Sequence, residues 1–322
     1  MFSILPRALT RAIIAPMSYQ QLTNGRVTWI NIVEPTPADV GMLHQAYPFV
    51  HPLNLEDLLS PIERPKIDED DNYLFAVMHF PIWDPDRRIS RSSEVDLFVG
   101  RGYVISIHEG VLRPLVNLWA RCAEHESARQ EVMGRGANRT FYTIIDQLVD
   151  YIFPILRRVD ANIHAIEDDI FTANTRLIIR DIAVVRRDLI ALRRIIRHQV
   201  PILENLEGTE HPIITEDLEE YFGDIADHLY KARDIVEENY EVIVGLAETA
   251  DTLASHRINE VMRILTVFSV ILLPLTLLSG IYGMNLDDLP FKENPNSFII
   301  VSGIMISIAV FMLIYFRRRN WL

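Results

Sequence analysis

With one cysteine in 322 residues, Cys122, the chain has no second thiol for an internal disulfide and no cysteine set for a zinc site. That single thiol suits a reducing compartment and is expected to be buried and structural. The ten histidines are scattered without an HxxxH pair, so no histidine zinc site is expected either. No phosphate-cradling glycine loop and no catalytic triad signature is present, and the chain reads as neither an enzyme nor a holder of an organic cofactor. Basic charge is also short: 31 Lys and Arg stand against 44 Asp and Glu, a net −13. The imbalance argues against nucleic acid as a partner and suits a protein that handles cations, although acidity alone also serves solubility. The first twenty residues, MFSILPRALTRAIIAPMSYQ, lack the unbroken apolar core of a secretory signal, because Pro6, Arg7 and Arg11 interrupt it. The soluble part is therefore expected not to be exported. Two arginines and no acid in that stretch also match an organelle transit segment, and a short N-terminal arm is the default.

What the chain does have, beside an ordinary globular composition of 49% hydrophobic and 23% charged residues, is two long apolar runs near its end. VMRILTVFSVILLPLTLLSGIYGMN begins at Val261, and its apolar part, ending at Ile281, is long enough for a helix to cross a bilayer core of ~30 Å. A second run, Phe298 to Phe316, follows about a dozen residues later. Arg257 and Arg263 precede the first span and Arg317, Arg318 and Arg319 follow the second, while the connecting loop LDDLPFKENPN carries Asp287, Asp288 and Glu293 against Lys292 alone. By the positive-inside rule both termini face the cytoplasm and the loop faces outward; the expected location is a cell inner membrane, crossed more than once.

Ahead of the spans, VTWINIV from Val27 alternates like a strand, and Thr36-Pro37-Ala38-Asp39 is a helix start for a short helix to about Ala46. His51 to Ser60 reads as a further helical turn or two before Pro61 and Pro65. Strands are expected in NYLFAVMHF from Asn72, EVDLFVG from Glu94 and YVISIHEG from Tyr103, the last two joined at Arg101-Gly102. Helical spacing then takes over in Pro114 to Gly134, Thr140 to Phe171, and from the break at Thr172 to Thr175 as far as Leu206. After the loop EGTEHP, no proline occurs from Thr215 to Pro274, which implies one helix of about seventy residues, ~100 Å long, running into the membrane. Arginines at 176, 180, 186, 187, 193, 194 and 197 are expected to pair, antiparallel, with Glu216, Asp217, Glu219 and Glu220. A basic collar near the membrane is the alternative. The organisation is thus residues 1–112, an α/β part; 113–256, a helical part with the start of the stalk; 257–284, the first span; 285–297, the outer loop; 298–316, the second span; and 317–322, a basic tail.

Stepping by alternating threes and fours along the long helix gives Glu241, Gly245, Glu248, Thr252, Ser255, Asn259, Met262, Thr266, Ser269, Leu273, Thr276 and Gly280. The stripe is polar or small for nearly its whole length, whereas Phe268, Ile271, Leu272, Leu275 and Leu278 suit lipid or a neighbouring helix. Several copies of such a helix could line a shared aqueous path. Close packing through small residues, with Ser and Thr bonding their own backbone, accounts for the stripe equally well.

The ending Tyr282-Gly283-Met284-Asn285 decides between them, because here the sequence resembles the CorA family of divalent-cation channels, whose mark is Gly-Met-Asn at the outer end of the first of two C-terminal spans. NEVMRILT from Asn259, PLT from Pro274, SGIYGMN from Ser279 and the terminal RRRNWL share the resemblance, as do His51-Pro52-Leu53, Leu55-Glu56-Asp57 and Arg64-Pro65-Lys66. It covers nearly the whole chain. The resemblance implies an α+β cytoplasmic domain followed by two transmembrane helices, assembled in lipid as a funnel-shaped homopentamer with the first spans around a central pore. It implies Mg²⁺ as both transported and regulatory ion, and a selecting ring of Tyr282, Gly283, Met284 and Asn285. The pore wall would comprise Glu248, Asn259, Met262, Leu265, Thr266, Ser269, Leu273, Thr276 and Gly280, with constrictions at Asn259, Leu265 and Leu273. Asp224 would bind regulatory Mg²⁺ between subunits, facing Asp84 or Asp86 of a neighbour. One departure is visible: many relatives carry Met-Pro-Glu-Leu in the outer loop where this chain has Leu289-Pro290-Phe291-Lys292, so outer cation attraction falls to Asp287, Asp288 or Glu293. Alternatives are a Zn²⁺, Co²⁺ or Ni²⁺ transporter of the same superfamily, proton-driven or not, and a membrane-anchored sensor without a pore.

Overall fold

Long runs of branched and aromatic residues make the middle of the sheet, and polar, charged runs make its edges. The computed structural model describes residues 18–60, 63–172, 174–208, 211–214, 216–284, 290, 295–319 and 321, apart from the side chains of 216, 217 and 219. The expected N-terminal arm, Pro61 and Thr215 lie outside the described residues. Two units result, one of residues 1–172 with 176–246 and one of residues 173–175 with 247–322.

The first unit opens with strands β1 (Tyr19–Asn24) and β2 (Val27–Val33), helices α1 (Pro37–Ala46) and α2 (Pro52–Asp57), and strands β3 (Lys66–Asp70), β4 (Tyr73–Asp84), β5 (Ile89–Gly100) and β6 (Tyr103–His108). They form one six-stranded sheet in the order β1-β2-β6-β5-β4-β3. Only β2 and β6 pair in parallel, and everything between them in sequence serves as their crossover. Thr36 caps α1 as expected, in a reciprocal box with Asp39 behind Pro37. Gly102, at φ +87, supplies the left-handed residue that the tight β5–β6 turn requires.

Both faces of the sheet are buried. Ile30, Ile32, Phe75, Phe98, Ile105 and Ile107 pack with Leu43, Leu55 and Leu58 of α1 and the α2 segment. On the other face Trp29 meets Trp119 edge to face, ring centroids 4.9 Å apart. That face also carries a buried polar chain: the Trp29 indole donates to Ser106 at 3.0 Å, and the Ser106 hydroxyl donates to Asn31 Oδ1 at 2.7 Å. His108 Nε2 lies 3.1 Å from the same oxygen, and its Nδ1 accepts from the Gly110 amide at 3.0 Å, so Nε2 carries the hydrogen. Burial holds the His108 pKa down at about 4.

Helices α3 (Arg113–Glu124), α4 (Glu126–Met133), α5 (Ala137–Asp150), α6 (Ile152–Asp169), α7 (Thr175–Gly208) and α8 (Glu216–Tyr282) follow. The sequence differs from this picture in four places. β1 and β3 were not expected: they are the two sheet edges, where YQQLTN and KIDED carry polarity and charge that discourage further pairing. The strand expected from Glu94 begins at Ile89, since Ser90 to Ser93 pair with Phe80 to Trp83 despite their polarity. The helix expected over Pro114 to Gly134 breaks at His125, where Arg129 donates to the Cys122 and Ala123 carbonyls at 2.9 and 3.0 Å and closes the end of α3. The helix expected from Thr140 starts at Ala137 and is renewed at Tyr151, because Pro154 has no N–H for the Asp150 carbonyl. Cys122 is fully buried, and burial raises its thiol pKa.

α7 and α8 are antiparallel, with Arg193 bonding Glu237 at 2.7 Å and Tyr230 bonding Glu204. This register sets Arg193 against Glu237 and both Arg186 and Arg193 against the Tyr240 ring, within the first half of α8 but beyond the acids of its first turn that were expected as partners. Glu216, Asp217 and Glu219 have side chains outside the described residues.

Candidate functional site

The second unit holds the outer part of α8 and helix α9 (Ser297–Arg318), both long and apolar enough to span a bilayer. Within α8 the better covered residues are Val267, Ile271, Pro274, Leu275, Leu278 and Tyr282, a three-and-four spacing. A matching seam on α9 runs through Met305, Ile308, Ala309, Met312 and buried Phe316. At 100° per residue the α8 seam lies on the side away from Thr266, Leu273 and Gly280. Every member of the polar stripe, from Glu241 and Gly245 through Glu248, Thr252, Ser255, Asn259, Met262, Thr266, Ser269, Leu273 and Thr276 to Gly280, is exposed. Leu265, beside it, is exposed as well. The chain thus covers one side of its first span and leaves the stripe uncovered.

The hydroxyls on that stripe are not idle. Thr252 donates to the Glu248 carbonyl at 2.9 Å, Thr266 to Met262 at 2.7 Å and Thr276 to Leu272 at 2.9 Å. Each hydrogen is committed to the helix, and the oxygen keeps lone pairs for an outside donor. Water around a cation turns its hydrogens outward, so such a surface accepts from a hydrated cation without binding it directly. Pro274 lies inside the helix and removes one backbone donor there.

At the end of α8, the Gly283 amide still reaches the Ser279 carbonyl at 2.9 Å, and the Met284 amide tightens to Ile281 at 3.2 Å. Gly283 is not among the residues with positive φ, and a Cβ there would stand 3.1 Å from the Ser279 oxygen. Space, rather than handedness, favours glycine. The Tyr282 hydroxyl donates to the Pro290 carbonyl at 3.2 Å, a tie from helix end to loop that the motif alone did not reveal. Asn285, Asp287, Asp288, Glu293 and the Leu289, Phe291 and Lys292 positions lie outside the described residues.

The expected regulatory acids sit in the first unit. Asp224 is exposed on α8 near Asp146 of α5, whose carboxyl is pushed up by burial and then by the negative charges of Asp150 and Asp224. Asp84 accepts from the Asp86 and Arg87 amides at 3.0 and 3.1 Å and so caps the β4–β5 turn, while Asp86 is exposed. Among the described residues of one chain, no three acidic, histidine or cysteine side chains converge on a metal-sized site.

Comparison with known proteins adds a family to this geometry. The family described as CorA-like Mg²⁺ transporter protein matches residues 24–318. A Bacillus subtilis protein named as a metal ion transporter, YfjQ, is 31% identical over 91% of this chain and 89% of its own. The cobalt/magnesium transport protein CorA of Thermotoga maritima is 30% identical over 92% of this chain and 83% of its own. In fold, the chain matches the complete structure of the CorA magnesium transporter from Methanocaldococcus jannaschii at a TM-score of 0.81, with 22% identity over 94% of this chain and 93% of that one. Two membrane-long helices, an α+β domain ahead of them and a match along almost its whole length show that the chain belongs to the CorA-like Mg²⁺ transporter family and is a membrane-embedded divalent-cation transporter.

Proposed function

We propose that the protein is a Mg²⁺ channel in which five copies of α8 surround a path for ion entry across the cell membrane, with both termini cytoplasmic. One observation carries the reading: the stripe from Glu241 to Gly280 is exposed along its full length, while the partly covered residues of the span, from Val267 to Tyr282, lie on another side. Asn259, Thr266, Ser269 and Thr276 would be poorly served by lipid. Copies of the same stripe, facing one another around water, give them acceptable surroundings. The names of the cobalt/magnesium relatives support Mg²⁺ and Co²⁺ as the ions.

Mg²⁺ loses its waters reluctantly and is best passed with its shell intact. A ring of Tyr282, Gly283, Met284 and Asn285 then selects at the mouth, with amide and carbonyl oxygens accepting from the ion's waters. Asn259, Leu265 and Leu273 narrow the path, and the apolar Leu273 side chains can expel water and so close it. Glu248 draws cations toward the inner end, and Asp287, Asp288 and Glu293 draw them toward the outer one. Cytoplasmic Mg²⁺ between Asp224 and a neighbour's Asp86 or Asp84 holds the subunits in a closed arrangement, and its loss releases them. Asp86 is the better partner, because Asp84 already serves two turn amides.

Flux into liposomes containing the purified chain, compared for Mg²⁺, Co²⁺, Ni²⁺ and Zn²⁺ with and without a pH gradient, tests the reading. Mg²⁺ entry that does not depend on the gradient is expected. Entry of Zn²⁺ alone, or only with a gradient, would move the protein to the zinc-transporting alternative, and no flux at all would leave a sensor without a pore. In patch recordings, Asp224→Ala should need more cytoplasmic Mg²⁺ to close; unchanged closure would remove Asp224 from the sensor.

A further inference from the structure

A cavity of about 630 Å³ opens in the first unit between the end of β4, the start of α3 and helix α6, and its charged lining is mostly cationic. Arg91 comes from β5, Arg113 from the first position of α3 and Arg158 from α6, so three separate elements bring guanidinium groups to one hollow. Trp83 and Tyr151 contribute aromatic wall.

These cations are only lightly neutralised. Arg91 shares its charge with Glu109 at 3.4 Å, both half exposed. Arg113 forms no ion pair among the described residues. Arg158 lies 3.7 Å over the Trp83 ring, and its Nε and Nη2 are covered without a hydrogen-bond partner. Desolvation lowers its pKa, partly offset by Asp188, whose carboxylate is taken by the Ser90 amide. The one acid in the cavity wall, Asp84, is spent on turn amides and lies 3.9 Å from Arg87. Beside Arg113, the N-terminus of α3 has no side-chain cap, which adds its own partial positive charge. A guanidinium stacked on an aromatic ring is held in one plane, ready for two-point contact with a phosphoryl group.

We propose that this cavity binds a polyphosphate, the phosphate chain of a nucleoside triphosphate or an inorganic chain of similar length, across Arg91, Arg113 and Arg158. A single monovalent anion would leave most of the hollow empty and two guanidiniums unmatched. A chain of three phosphoryl groups carries enough charge for all three. The cavity does not involve the ion path, and it shares with the regulatory reading only Asp84, the less favoured partner of Asp224.

Calorimetric titration of the full-length protein in detergent micelles, in Mg²⁺-free buffer, with inorganic tripolyphosphate, ATP and orthophosphate as probes provides the test. Tripolyphosphate and ATP are expected to bind saturably and to weaken steeply with salt, with orthophosphate at least tenfold weaker. ATP binding more tightly than tripolyphosphate points to a nucleotide as the source, and equal binding to the phosphate chain alone; either supports the site. Arg113→Gln should weaken tripolyphosphate at least tenfold, Arg91→Gln less, and Glu109→Gln should tighten it by removing a competing carboxylate. Arg158→Lys keeps the charge but loses the planar fork, and should weaken binding even where the melting curve is unchanged. No saturable binding below ~5 mM, an affinity already weaker than millimolar, would overturn the proposal, as would binding indifferent to both Arg113→Gln and Glu109→Gln.

Discussion

The sheet of the first unit and the spans of the second are both rich in large apolar residues, yet they dispose of them oppositely. Trp29, Phe75, Phe80 and Phe98 are completely enclosed by their own chain, whereas Leu273 is 68% exposed and Phe298 84%. The first unit finishes its core alone. The second carries apolar surface of the kind that water would penalise at ~25 cal/mol for each Å², surface that suits a bilayer. Composition does not separate the two. Placement does, through the sheet's alternation and the helices' continuous apolar runs.

Substitutions can break or sharpen this contrast. The largest effect is expected at the mouth, where Asn285→Ala should abolish Mg²⁺ uptake by proteoliposomes and leave the melting of the soluble unit unchanged; preserved uptake would remove Asn285 as the selecting group. Next comes the core: Phe98→Ala removes a ring stacked 4.3 Å from Phe75 and should cost ~3–5 kcal/mol in urea unfolding. Leu273→Ala, of similar chemistry, should cost below ~1 kcal/mol and instead alter conductance. Equal costs at the two positions would erase the contrast.

A smaller effect follows from His108. Its folded pKa of about 4 lies below the ordinary 6.5, so between those values the unfolded chain binds a proton that the folded chain refuses. Stability is therefore full above pH ~6.5 and falls toward pH 4, by at most ~1.4 kcal/mol for each pH unit. His108→Gln should flatten the urea midpoint across that window; an unchanged slope would acquit the histidine. Smallest is Asp96, whose pKa is raised well above the ordinary value first by burial and then by Glu94, Asp57 and Glu63, with Oδ1 lacking a partner. A raised carboxyl favours the fold at low pH and penalises it as pH rises. Asp96→Asn should stabilise the unit at pH 7 by on the order of 1 kcal/mol, read as a higher melting temperature, and a lower one would show that the charge is wanted.

The sequence displayed β2, β4 and β6, the Thr36 cap, the turn at Gly102 and the long α8, because each is written in local spacing or in one decisive residue. β1 and β3 were hidden because edge strands are selected for polarity. The start of β5 was hidden for another reason: buried Ser90 acquires its partner only when Asp188 arrives from α7, nearly a hundred residues later. The stripe could be counted from sequence, but its exposure along the whole helix could not. Nor could the arginine cavity, whose three cations come from positions 91, 113 and 158 with no motif to join them.

The pinned threonine hydroxyls have one more effect. Proton hopping needs groups that release one hydrogen while taking up another. Thr266 and Thr276 have already given theirs to the helix. No titratable residue stands on the stripe between Asn259 and Gly280. In the proposed pore, these two hydroxyls would therefore offer hydronium no relay of their own.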